Sequence, residues 1–96
     1  MEIANVLARE GTADELAVNY QKAMEVVLRH PGASRAQVLR QQENPRAFAI
    51  VIEWESVAAH DDFRGSDLLL AFRACLDGAV EQMVIGGHYD VCALAE

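Results

Sequence analysis

Positive charge is scarce in this sequence. Eight lysine and arginine side chains stand against fifteen aspartates and glutamates, a net charge of −7, so the surface repels phosphate backbones and anionic lipid. Neither nucleic acid nor a membrane is an expected partner. Apolar runs are also short. None approaches the ~18 residues of a membrane span, and Glu2, Arg9 and Glu10 stand where an export signal needs a basic start and an apolar core. A cytoplasmic location is the expectation. Cys75 and Cys92 are the only cysteines, at neither CxxC nor metal-ligand spacing, and read as reduced, packed thiols. There is no HExxH, GxGxxG, Walker loop or Gly-x-Ser-x-Gly elbow. No metal site and no resident cofactor are therefore expected. Nor does any Pro, Gly or Ser-rich stretch divide the 96 residues, which read as one domain, 1–96.

What is present is a high apolar content, 52%, arranged in short patterned blocks. Residues 3–9 are mostly apolar with β-branched members and stop at Gly11, a strand signature. Thr12 followed by Glu15 fits a capping box, so a helix starts at about Ala13. Leu16, Tyr20, Ala23 and Val27 recur at helical spacing, Met24 and Leu28 widen the stripe, and Pro31-Gly32 ends it. A strand over 34–41, with Ala36 and Val38 on one face, turns at Asn44-Pro45 into a second arm. Ser56 and Ser66 are placed to cap two consecutive helices, the first ending near Gly65 and the second carrying Leu68, Leu69, Phe72, Cys75 and Leu76 before Gly78. A last strand is expected over 83–94, with a bulge at Gly86-Gly87.

The order βαββααβ predicts an α+β fold, ferredoxin-like, with one four-stranded antiparallel sheet and the helices on one face. Its second hairpin arm, Ala47 to Ile52, is apolar without alternation, the pattern of a strand buried on both faces. A single chain has nothing left to cover the second face, and exposing it would leave a larger apolar patch than soluble monomers carry. A homodimer, sheet against sheet, is the expected solution.

The string from Phe48 through Glu53-Trp54-Glu55-Ser56, with Ala58-Ala59-His60 and Phe63-Arg64-Gly65-Ser66 after it, resembles the antibiotic biosynthesis monooxygenase family, and the element order extends the resemblance over nearly the whole chain. The resemblance implies a dimeric α+β barrel with a pocket in each subunit between sheet and helices. The family includes cofactor-independent quinone-forming oxygenases, haem degraders, degraders of small signalling molecules and members without known activity. Quinone-forming members are similar at Trp54 and have an arginine near Arg73, but this chain has His60 where they use a tyrosine and Ile50 where they carry a strand asparagine. Phe63 and Arg73 fall where haem degraders have a tryptophan and the iron-ligating histidine, and an arginine cannot take that ligand's place. Haem degradation is not expected. Phe63 also replaces the histidine of the signal-degrading relatives.

The candidate catalytic residues are Trp54, His60 and Arg73. Trp54 can wall an aromatic pocket by stacking, or simply fill the sheet-to-helix junction. His60 titrates near neutral pH and can serve as an acid or base, with a surface or capping histidine as the plainer alternative. Arg73 can hold an anionic oxygen or pair with a carboxylate. The candidate substrate-binding residues are Asn5, whose amide can orient a carbonyl from the first strand or simply sit at the ladder edge or line the barrel, Tyr20, whose ring reads as core with its hydroxyl at the pocket's edge, and Phe63 and Phe72. His30 suits a helix C-terminus. Of His88 and Tyr89, beside the glycine pair, one faces the barrel and the other does not. The expected function is cofactor-independent monooxygenation of a small phenolic or hydroquinone-like substrate. The alternative is a non-catalytic dimeric barrel that binds a small aromatic or apolar molecule, or serves in stress response or a biosynthetic complex.

Overall fold

Seven elements follow one another in a computed structural model that describes residues 1–95, with residues 81–85 described through their backbone. They are β1 (Glu2–Ala8), α1 (Ala13–Val27), β2 (Ala33–Arg40), β3 (Ala47–Trp54), α2 (Val57–Arg64), α3 (Asp67–Cys75) and β4 (Val80–His88). The strands form one sheet in the order β2-β3-β1-β4, each neighbouring pair antiparallel. The expected α+β, ferredoxin-like βαββααβ topology is the one observed. No helix among the described residues is long and apolar enough to cross a membrane.

Period-two alternation decides what each strand shows to the helices. Ala4, Val6 and Ala8 on β1 and Phe48, Ile50 and Ile52 on β3 are buried beneath them. In register these pair as Ala4 with Ile50 and Val6 with Phe48, so both rows stand on one face. Ala49 and Val51 point the other way and are half-buried, while Asn5 is exposed. From α1, Leu16, Tyr20, Ala23, Met24, Val26 and Val27 close the helix side of the core. Val26 takes the place expected of Leu28, which is 47% exposed.

Three local expectations are corrected. Thr12 stands at the N-cap of α1 without a side-chain cap. Its hydroxyl instead donates to the carbonyls of Arg9 at 2.8 Å and Ala79 at 3.1 Å, because the approach to β4 brings in a stronger acceptor than the expected exchange with Glu15 offers. Ser66 likewise donates to the Phe63 carbonyl, at 2.7 Å, whereas Ser56 caps α2 as expected by accepting from the Ala59 amide at 3.1 Å. The last strand runs over Val80–His88 rather than 83–94. Its start is fixed by the pairing of Ala8 with Val80, and at its far end Glu2 pairs with His88 and the Tyr89 amide meets the Met1 carbonyl at 2.7 Å. The expected irregularity is present, as a register shift between the Ile3–Gly87 and Asn5–Val84 pairs. Gly86 is required there, since a side chain would collide with the Ile3 carbonyl and the Ala4 backbone.

Candidate functional site

A cavity of about 590 Å³ opens between the sheet and the α2–α3 layer. It exists because α3 roofs the sheet without sealing it. None of that helix's nine residues is fully buried, and Leu69 and Phe72 reach only halfway into cover. The walls are apolar, from Ala4, Ile50 and Ile52 on the sheet to Phe63, Leu69 and Phe72 on the helices, with four polar groups among them: Glu2, His60, Arg64 and Arg73. Such a wall of apolar side chains with a few polar groups suits a small organic ligand.

The polar groups on the sheet side are linked. Trp54, the last residue of β3, donates from Nε1 to Glu2 Oε1 at 2.9 Å. His60 Nε2 lies 3.3 Å from the same oxygen. On its other side, His60 Nδ1 meets His88 Nε2 at 2.8 Å. The Trp54 and His60 rings stack with centroids 4.9 Å apart and planes only 10° from parallel. Four elements, β1, β3, α2 and β4, contribute one member each. The capped start of α2 turns His60 under the chain, and the pairing of Glu2 with His88 puts these two on the same face of the sheet.

His60 is buried, with 5% of its surface exposed, which removes the surface or capping alternative. Burial pushes its pKa below the ordinary histidine value. The carboxylates of Glu2 and Asp61 act against that shift, and Arg64 and His88 reinforce it. His30, assigned from sequence to a helix end, is buried as well. Its Nδ1 accepts from the Gly32 amide at 3.0 Å, so Nε2 carries the hydrogen and donates to Asp62 at 2.7 Å. The ring stands edge-on to Trp54 and Phe63, at 5.7 and 6.2 Å, and so braces α2 and the tryptophan from behind.

Of the residues singled out in the sequence, Trp54, His60, Phe63, Phe72 and Arg73 meet at the cavity. Arg73 is exposed at its rim and has no ion pair among the described residues. Asn5 does not come to the cavity. It stands on the opposite face of the sheet, because alternation gives the helix side to Glu2, Ala4 and Val6. Tyr20 is also elsewhere, packed on Phe48 with ring centroids 5.6 Å apart and bordering a smaller groove of about 340 Å³ between α1 and β2. Its hydroxyl is buried without a partner among the described residues, and burial pushes its pKa up to about 12. His88 and Tyr89 are both exposed, and of the two it is His88 that meets His60 on the helix side. Cys75 and Cys92 are free.

Sequence reasoning missed Glu2 and the part played by His88. The signal for Glu2 was its place in the row Glu2, Ala4, Val6, Ala8, a carboxylate heading the buried face of a strand. His88 carried no local signal, since its partner lies 28 residues away.

Solved structures of the same fold include an assigned antibiotic biosynthesis monooxygenase from Bordetella bronchiseptica. It is 23% identical, with a TM-score of 0.81 over 94% of this chain and 95% of that one. One from Nitrosomonas europaea is 14% identical, with a TM-score of 0.81 over 95% and 88%. SnoaB, a cofactor-independent oxygenase from Streptomyces nogalater, is 17% identical, with a TM-score of 0.77 over 97% and 93%. At these identities the likeness is one of fold. Comparison with curated proteins returns no match. The family model for antibiotic biosynthesis monooxygenases matches residues 1–74, from β1 to nearly the end of α3. By that match, the chain belongs to the antibiotic biosynthesis monooxygenase family.

Proposed function

We propose that this chain is a cofactor-independent monooxygenase that oxidises a small phenolic or hydroquinone-like substrate in the cavity beneath α3, as a homodimer of one-domain subunits. The observation that carries this reading is the meeting of aromatic walls, an unpaired cation and a cluster of polar groups centred on the buried His60 around one cavity. Trp54, Phe63 and Phe72 offer ring faces and edges to a flat substrate. Arg73 supplies positive charge where the phenolate oxygen forms. The name of SnoaB agrees with chemistry of this kind on this fold.

The reaction balances without a further reductant. The phenol loses its hydroxyl proton, the phenolate passes one electron to dioxygen, and the resulting pair joins through a ring carbon to form a peroxide. Loss of the proton from that carbon then breaks the O–O bond, closes a second carbonyl and releases hydroxide, which leaves as water. One dioxygen thus turns one phenol into one quinone and one water, and all four electrons come from the substrate. The protein's share is to bind, orient, stabilise the anion and move protons. Oxygen uptake across a panel of phenols tests this. One dioxygen consumed per quinone formed, undiminished by a metal chelator, is the expected result. Binding of phenols without any uptake across the panel would overturn it in favour of a non-catalytic barrel.

The open face of the sheet supports the dimer. Ile50 is spent on the helix side, so Val51, with Ala49 beside it on the same strand, is the group a second copy would cover. Sedimentation at micromolar concentration is expected to give twice the 10.5 kDa chain mass, and Val51→Asp to give poorly soluble monomer. A well-behaved 10.5 kDa species from the unaltered chain would refute the dimer.

A further inference from the structure

A cation and aromatic walls explain how a phenolate is held, but something must first take the proton from the neutral phenol. His60 is the obvious titratable group, yet both of its ring nitrogens are engaged. Nδ1 faces His88 Nε2 at 2.8 Å and Nε2 faces Glu2 Oε1 at 3.3 Å. The hydrogens can be assigned in turn. A carboxylate only accepts, so the hydrogen of a neutral His60 belongs on Nε2, which leaves Nδ1 bare. His88 Nε2 must then be the donor in the contact between the rings. Burial, which holds His60 below the ordinary histidine pKa, favours that neutral ring. The Nε2 hydrogen of a neutral His60 therefore faces Glu2, and its one lone pair, on Nδ1, is taken by His88 and is not free for a substrate.

Glu2 stands in the complementary position. One oxygen, Oε1, receives the Trp54 indole hydrogen and faces His60, while no hydrogen bond involves Oε2 among the described residues. The side chain is only 15% exposed and lies on the cavity wall. The indole donor on Oε1, with the His60 ring 3.3 Å from the same oxygen, sets the plane of the carboxylate and leaves the second oxygen's lone pairs for whatever fills the cavity. The charged or titratable groups on the remaining walls are Arg64 on α2 and Arg73 on α3, with His88 behind His60 on β4.

We propose that Glu2, and not His60, receives the substrate's hydroxyl proton, on Oε2, with Trp54, His60 and His88 as the positioning residues that hold it. This rests on the reading of the cavity as a phenol-oxidising site. In each turnover Glu2 is used twice. The substrate O–H bond breaks with its proton going to Oε2 and its electron pair remaining as phenolate near Arg73. After dioxygen has bonded to the ring carbon, that proton returns to the peroxide. Glu2 next takes the proton of the same carbon as the O–O bond breaks, and gives it to the departing hydroxide to make water. The carboxylate ends as it began.

Two measurements on the intact chain test this, with α-naphthol as probe. Dioxygen converts it to naphthoquinone and water in the same balance. In oxygen uptake, Glu2→Gln is expected to lose about 10² to 10³ in rate at neutral pH, with the loss shrinking as the pH passes the naphthol's own pKa and the solution supplies the phenolate, down to what the later removal of the ring-carbon proton still costs. A merely structural glutamate would give a loss that does not shrink with pH, and that outcome refutes the proposal. The second measurement needs no turnover. Under argon, calorimetry should show the unaltered protein binding α-naphthol about tenfold or more tightly than its methyl ether, since only the naphthol can donate to a carboxylate. In Glu2→Gln that preference should fall to about threefold or less. Equal binding of naphthol and ether by the unaltered protein, or a preference that survives in Glu2→Gln, overturns the assignment. Absence of oxygen uptake by the unaltered protein counts against the proposed reaction, and the calorimetry still decides on Glu2. Where circular dichroism finds Glu2→Gln unfolded, Glu2→Asp serves in its place. It keeps the charge and withdraws it by one methylene, so a roughly tenfold slower uptake with the preference for naphthol retained is expected, and equal binding of naphthol and ether would again refute the role.

Discussion

α1 and α3 lie over the same face of one sheet and carry apolar stripes of similar character, yet α1 buries six side chains and α3 buries none fully. Under the first turns of α1 the contact is closed, with Leu16 at 0% exposure and Tyr20 at 2%, while Val27 at its far end borders the cavity. Beneath α3 there is a cavity of about 590 Å³ bordered by half-buried Leu69 and Phe72. The same kind of sequence stripe therefore produces a seal in one half and a roof in the other. What separates the halves is whether atoms from the opposite element fill the space beneath the stripe. In the α1 half apolar side chains supply stability. In the α3 half part of that stability is forgone, and the space is available to a ligand.

The largest expected effect sharpens this contrast directly. Leu16→Ala should cost about 2–5 kcal/mol, the price of a new void in a closed core, while Leu69→Ala, beside a space that is already open, should cost under about 1 kcal/mol. Urea unfolding of the two variants measures both. Equal costs would mean that the α3 half is closed in solution.

Next in size is an effect confined to the open half. Arg73→Met keeps most of the side-chain length, touches no ion pair among the described residues, and should leave stability within about 0.5 kcal/mol. Turnover of a phenol found by oxygen uptake should nevertheless fall by about 10² to 10³. Full turnover in Arg73→Met would show the cation at the rim to be a bystander.

A smaller effect lies in the closed half. The Tyr20 hydroxyl is buried without a partner among the described residues, so Tyr20→Phe should raise stability by up to about 1 kcal/mol. The sign of its pH dependence follows from the pKa of about 12 in the folded chain, above the 10.0 of a free tyrosine. The folded state keeps the proton that the unfolded state loses, so stability is unaffected below 10 and falls as the pH rises from there toward 12. Thermal unfolding in alkaline buffers should show that decline in the unaltered protein and a flatter one in Tyr20→Phe.

The smallest effect returns to the cavity. Because His60 is held below the ordinary histidine value, the unfolded chain takes up its proton first as the pH drops. Stability should decline over the interval just below about 6.5, and His60→Asn should remove that part of the decline. Melting curves at closely spaced mildly acidic pH values measure the difference.

The order of the elements was legible because each boundary has local chemistry: Gly11 ahead of α1, Pro31-Gly32 after it, Asn44-Pro45 in the hairpin, Ser56 and Ser66 before the last two helices, Gly78 at positive φ. The family resemblance supplied the cavity and the place of Trp54. Facing was less legible. Apolar residues occupy both sides of β1 and β3, so no alternation told which face Asn5 takes. The burial of His60 was hidden for another reason. Its neighbours Asp61 and Asp62 read as a solvated helix surface, and its cover comes from Trp54 and His88, which only the folded sheet assembles. Glu2, near the start of the sequence, reads as one more solvated acid until β3 supplies the indole that claims one of its oxygens.

One extra residue in β4 fixes by parity which partner His60 has beside the cavity. Counting back from the Asn5–Val84 pair without the register shift, Gly87 would stand opposite Glu2 and His88 opposite Met1. Neighbours along a strand point to opposite faces, so a one-residue difference would send the His88 imidazole to the side of the sheet where Asn5 lies. The irregularity at Gly86, with its close approach to Ile3 and Ala4, thus acts as a selector between two mirror arrangements of the same strand. In one, Glu2, His60 and His88 form a connected set. In the other, His60 keeps its burial and loses the partner on Nδ1. A selector of this kind is altered by insertion or deletion rather than by substitution, so in this chain the length of the β4 segment decides whether His88 reaches His60.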